Sequence, residues 1–189
     1  MTGAAYDDAK FTELVLHAAQ LLVGDPSGGA VKLNKLLYFA ETEHYRRTGR
    51  TITGVEFQKL PHGPAPRAML DVRSRLAAAG RARLQSSVTD GGHRLDALVP
   101  LAEPDLSLFD ESERHTIATV ADQLRTMTAT EVSELSHRQA GWQLVDVGET
   151  IPHCAALLDE EATVPDRLRP VVAVRARELS ERHGGDASG

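Results

Sequence analysis

Between residues 30 and 48, apolar side chains return every three or four positions: Leu33, Leu36, Leu37 and Ala40, with Tyr38 and Phe39 widening the stripe. That is the 3.6-residue period of a helix burying one face, and it predicts a helix from Ala30 to Thr48 at the centre of the fold. Gly49 follows as its stop, because glycine adopts the left-handed conformation at a helix C-terminus without steric penalty. A chain organised round such a helix must bring other apolar faces against it. Asp8 to Val23 supplies one through Phe11, Leu14, Val15, Ala18, Leu21 and Leu22, and Gly24-Asp25-Pro26-Ser27-Gly28-Gly29 ends that period.

The remaining punctuation sets the other elements. Ile52, Val55 and Phe57 predict a short strand or extended arm within residues 51–60. Pro61-His62-Gly63-Pro64 then forces a rigid turn, and Pro64 or Pro66 is expected to start a helix running to Ala79. Met69, Val72, Leu76 and Ala79 would line its buried side, with Gly80 as the stop. Residues 82–88 and 93–99 alternate apolar and polar round Asp90-Gly91-Gly92, a hairpin pattern. Asp110 with Glu113 three residues on predicts the N-cap of a helix carrying Ile117, Val120, Ala121, Leu124 and Met127. Thr128 to Glu131 reads as a capping box opening a short helix to His137, with Val132 and Leu135 as its buried positions. Residues 144–164 are ambiguous. Pro165 and Asp166 are expected to begin a terminal helix reaching about residue 183, and 184–189 form a tail. The sum is about six helices and a small antiparallel hairpin or sheet, a mainly helical α+β fold in a single domain over residues 1–183.

Length and charge narrow the function. A chain of 189 residues fits one core, and its apolar runs fall far short of the roughly 20 residues that span a bilayer. Asp7 and Asp8 stand where a secretory signal needs basic residues, so a cytoplasmic protein is expected. The net charge of −6 argues against bulk attraction to nucleic acid. Locally, Arg67, Arg73, Arg75, Arg81 and Arg83 are opposed within their stretch only by Asp71, and Arg94 follows. They read either as a solvated face or as a docking face for an acidic partner or for RNA. The single cysteine, Cys154, excludes an internal disulfide and reads as a small buried thiol, since its neighbour His153 is badly placed to act as its base.

No sequence motif of a known catalytic class is present: no His-Glu-x-x-His, no Gly-x-Ser-x-Gly, no phosphate-binding glycine loop, no dinucleotide fingerprint. One coincidence bears on chemistry. Glu-x-x-His occurs twice, as Glu41 to His44 and as Glu134 to His137, each pair on one helical face, as in the di-iron carboxylate sites of helical bundles. A metal-dependent enzyme is therefore the rival reading. Against it, the helix carrying Glu134 is short and the hairpin interrupts a bundle.

Lys32-Leu33-Asn34-Lys35-Leu36-Leu37-Tyr38-Phe39-Ala40, then Gly49 and Ile52, then His62-Gly63-Pro64, then Leu135-Ser136-His137 with Trp142, resembles the signature of the Panacea (SocA-like) antitoxin domain, over about residues 10–145. The chain departs from that pattern at Lys59-Leu60, where many members carry Ala-Trp, and at Gly141, where a proline often precedes the tryptophan. The resemblance implies a non-enzymatic antitoxin, without cofactor, that neutralises a toxin encoded beside it by direct binding or, in one variant, by delivering it to a protease. Tyr38, Tyr45, His62, Arg67, Arg73, His137 and Trp142 are the expected partner-binding residues, being of types that interfaces favour. The identity of the toxin, the stoichiometry and any self-association are open at this point.

Overall fold

The computed structural model describes residues 5–88, 92, 94–158, 174 and 178. The expected terminal helix over 165–183, apart from positions 174 and 178, lies outside the described residues, as do the tail and the Asp90-Gly91 part of the hairpin turn. Within them the chain forms α1 (Asp8–Leu21), α2 (Ala30–Thr48), β1 (Phe57–Leu60), β2 (Gly63–Pro66), α3 (Met69–Ala78), β3 (Ala82–Val88), β4 (Arg94–Pro100), α4 (Glu111–Leu124), α5 (Ala129–His137), α6 (Ala140–Gln143) and β5 (Thr150–Ile151), with 3-10 turns at Leu106–Leu108 and His153–Leu158. This is the mainly helical α+β architecture expected. The sixth described helix, however, is the unforeseen single turn α6 around Trp142. Among the described residues no helix is long and apolar enough to cross a membrane.

The local signals behave as their chemistry dictates. Asp110 and Thr128 each accept from the backbone three residues on, and Glu113 and Glu131 reach back, so both capping boxes are complete. Gly49 closes α2 at φ 71°. Two small antiparallel sheets result, β3-β4 alone and β2-β1-β5. The residues between 144 and 164, ambiguous in sequence, contribute β5, which pairs Ile151 with Phe57.

The expected helix start at Pro64 or Pro66 is corrected. Gly63–Pro66 is a strand, and the helix begins at Met69. Strand β2 lies at a sheet edge and pairs only with β1, Lys59 opposite Pro64 and Phe57 opposite Pro66. The Arg67 amide donates to Glu56 O (2.9 Å), so the two-residue alternation of an antiparallel ladder leaves both prolines at positions that donate nothing. Ala79 is likewise not a core residue; it is the exposed C-cap of α3.

Helix α2 is the centre of the core, packed by α1, α4 and α5 and by β2. Leu33, Leu36, Leu37 and Ala40 are buried as the period requires, beside Phe11, Leu14, Phe57, Val72, Ile117 and Val120. Each large side chain so buried contributes roughly 1.5–3 kcal/mol. The same helix also buries ionisable side chains. Lys32 is 0% exposed and donates to Asp25 Oδ2 (2.6 Å) and to the carbonyls of Met127 (2.5 Å) and Arg125 (3.3 Å). Glu41, also 0% exposed, accepts from the amides of Ile52 (2.7 Å) and Thr53 (2.8 Å) and from the Thr53 hydroxyl.

A second buried carboxylate ties α1 to the hairpin. Glu13 receives Arg81 Nη1 (2.6 Å) and Nη2 (2.9 Å) and the Asp105 amide (2.9 Å). The Arg81 guanidinium holds its carboxyl below the usual 4.5, and the Asp105 amide adds to the effect. A carboxylate with a lowered folded-state pKa stabilises above its unfolded value and loses that stabilisation as pH falls. Glu13→Gln is therefore expected to cost about 1–3 kcal/mol at pH 7. The gap to the parent protein should close as pH drops below about 4.5, measured as urea midpoints across pH 3 to 7.

Candidate functional site

The turn between β1 and β2 is where distant parts of the chain meet. Gly63 has φ +96°, the left-handed region that glycine alone enters without strain. A Cβ there would also meet the Lys35 side chain and lie 2.5 Å from Ser136 Oγ. Lys35, 2% exposed, rises from α2 beneath the turn and donates from Nζ to Pro64 O (3.1 Å). Burial pushes its ammonium down to about 8. From α5, Ser136 Oγ donates to Ser133 O (2.7 Å) and Ser133 Oγ donates to His62 O (3.2 Å). The turn is thus pinned from below by a lysine and from the side by a serine.

The next residue of α5, His137, stacks on Trp142 with ring centroids 4.1 Å apart and planes 21° from parallel. Lys59 Nζ lies 4.1 Å from the Trp142 ring centroid and donates to Val145 O (2.8 Å), while Trp142 Nε1 donates to Leu60 O (3.3 Å). Burial, with the positive charges of Lys35 and Lys59 near it, holds the His137 pKa below the usual 6.5, so its imidazole is neutral at pH 7. Its Nε2 is buried with no hydrogen-bond partner. Val31, His62, Ala129, Thr130, Ser133, Glu134 and His137 line an open cleft of about 420 Å³ above this stack.

Of the seven expected partner-binding residues, the structure brings His62, His137 and Trp142 together. The others lie elsewhere. Tyr38 is 2% exposed, edge-on against Phe57 (5.3 Å) and Phe39 (5.5 Å), which removes it from the surface anchors. Gly141 packs over it, since a Cβ there would fall 3.2 Å from Tyr38 Oη and 2.8 Å from Ile151 Cγ2. Tyr45 is half-buried beside His153. Arg67 lines a second cleft of about 370 Å³ with Tyr6 and Glu56, where it donates to Gly148 O (2.7 Å) and Thr150 Oγ1 (3.1 Å). Arg73 is partly buried on α3.

The arginine-rich stretch is opposed by far more acid than its sequence neighbourhood suggests. Arg75 holds Asp8 through two 2.6 Å contacts and Asp71 at 3.1 Å, Arg81 holds Glu13, Arg94 holds Asp96 (2.9 Å), and Arg67 faces Glu56 (3.8 Å). The two Glu-x-x-His pairs do not share a site. Glu41 is enclosed by the backbone at residues 52 and 53, and His44 Nδ1 lies 3.4 Å from Thr116 Oγ1. Glu134 and His137, by contrast, line the cleft. Among the described residues no three or more His, Cys, Asp or Glu side chains are grouped to hold a metal ion. Cys154 is partly buried rather than enclosed.

Lys35, Lys59 and Ser136 are the members of this site that the site expectation left out. Spacing gave no signal for Lys35: two residues after Leu33 it lies about 200° round the helix, off the Leu33-Leu36-Leu37-Ala40 stripe, on the side that β2 and α5 cover.

Residues 33–143, more than half of the chain, match the family model described as Antitoxin SocA-like, Panacea domain. No curated protein and no solved structure matches. The match spans Lys35, the His62-Gly63-Pro64 turn, Ser136, His137 and Trp142, and so contains the whole pinned turn and stack.

Two outcomes are expected. Gly63→Ala should destabilise the protein by about 2 kcal/mol or more, through positive φ and collision with Lys35 and Ser136, measured by denaturant unfolding. Trp142 emission should fall only below pH 6.5 as His137 protonates in contact with the indole, and His137→Gln should flatten that titration.

Proposed function

The chain belongs to the SocA-like antitoxin family with the Panacea domain, and on that basis we propose that it is an antitoxin module that binds a cognate protein toxin and silences it by covering the toxin's active surface. The observation that carries this reading is convergence. Sequence blocks separated by up to about a hundred residues meet at one solvent-facing cleft, and the groups beneath it are fixed by hydrogen bonds and stacking. A rim held this way has little conformational freedom left to lose on association, which favours binding. His62 and Glu134 are exposed on that rim, while Trp142 lies below as a partly buried support.

The action is cytoplasmic and needs no cofactor: a steric or conformational block rather than chemistry on the toxin. The test is growth. The open reading frame beside this gene is induced alone and then with this protein, and toxin abundance is followed by immunoblot. Arrest alone, rescue on co-expression and an unchanged toxin level are expected. Rescue with loss of the toxin would replace neutralisation with delivery to a protease, and toxicity without rescue would overturn the pairing.

A further inference from the structure

The cleft between the β1-β2 turn and α5 has a chemical bias that narrows what it accepts. Among the described residues that line it, Glu134 is the one Asp, Glu, Lys or Arg. The two lysines nearby are directed elsewhere: Lys35 Nζ to Pro64 O, and Lys59 Nζ to Val145 O across the Trp142 ring. What faces the opening can accept hydrogen bonds. The Glu134 carboxylate is exposed, while the His137 Nε2 is buried in the wall and does not open onto the cleft. The Thr130 hydroxyl offers lone pairs, as does Ser133, whose proton already goes to His62 O. Val31 and Ala129 complete the wall with apolar surface.

A group matching this wall carries several donors and a positive charge at the end of an apolar stem. We propose that the cleft is the seat of an arginine side chain presented by the protein partner, its guanidinium on the exposed Glu134 carboxylate and Thr130 hydroxyl and its methylenes against Val31 and Ala129. Arginine fits better than lysine, because a planar fork of five donors reaches a carboxylate and a neighbouring hydroxyl together, whereas an ammonium is a compact point charge. The whole chain's net charge of −6 favours approach of a basic partner surface. This inference rests on the antitoxin reading for the identity of the partner, and on the cleft alone for its chemistry.

The probe is the tripeptide acetyl-Gly-Arg-Gly-amide, titrated into the full-length protein while Trp142 fluorescence and the amide shifts of Ser133, Glu134 and His137 are followed. Saturable changes at these positions are expected, with affinity weakened about tenfold or more in Glu134→Gln, the loss for one charge-assisted pair. Unmoved signals, an unchanged affinity in Glu134→Gln, or stronger binding of acetyl-Gly-Glu-Gly-amide would each overturn the proposal, the last by assigning the cleft to a carboxylate. In the growth assay Glu134→Lys should lose rescue, and exposed Gln85→Ala on β3 should keep it. If the parent protein and Glu134→Lys rescue equally, the arginine seat fails and the antitoxin reading stands. If the parent protein rescues no toxin, the antitoxin reading fails, and the peptide titration still decides the cleft.

Discussion

Helix α2 carries ionisable side chains inward, and the non-regular parts of the molecule depend on them. Lys32 gathers two carbonyls after α4 and the Asp25 carboxylate, Lys35 takes a carbonyl of the β1-β2 turn, and Glu41 takes two amides of the segment that follows the helix. An uncompensated buried charge costs several kcal/mol, so each of these side chains requires its loop as much as the loop requires it. Apolar packing sets where the helices lie, while these three contacts fix the loops, which burial alone specifies poorly.

That division explains what could be read beforehand. Periodicity and capping chemistry located α1, α2, α4 and α5, and the alternation of residues 82–99 located the hairpin, because those signals are local. Strand β2 was hidden by Pro64 and Pro66, which read as helix starters unless the edge position is known. β5 and α6 are too short to show a period, and they exist through contacts with β1 and with the turns around them.

The site divides the same way. His62, His137 and Trp142 belong to residue types that attract attention, and they do assemble. Lys35 escaped notice because lysine in a helix normally reads as a surface residue, and its burial follows from a carbonyl twenty-nine positions away. The arginines between 67 and 94 pair with acids that their own stretch of sequence does not display, Asp8 and Glu13 on α1 and Glu56 before β1, while Asp96 is a near neighbour of Arg94. The Glu-x-x-His repeats share a spacing and nothing else, one pair facing the interior and its loop, the other facing solvent.

The pinned turn has a consequence for how such a molecule diversifies. Gly63, Lys35 and Ser136 hold the rim from beneath, whereas the side chains of His62, Thr130 and Glu134 stand on it and carry little of the core's packing. Substitutions on the rim therefore cost little stability, within the few tenths of a kcal/mol typical of surface positions. Under the proposed function, a lineage can exchange one partner for another by changing a handful of outward-facing codons, without passing through an unfolded ancestor.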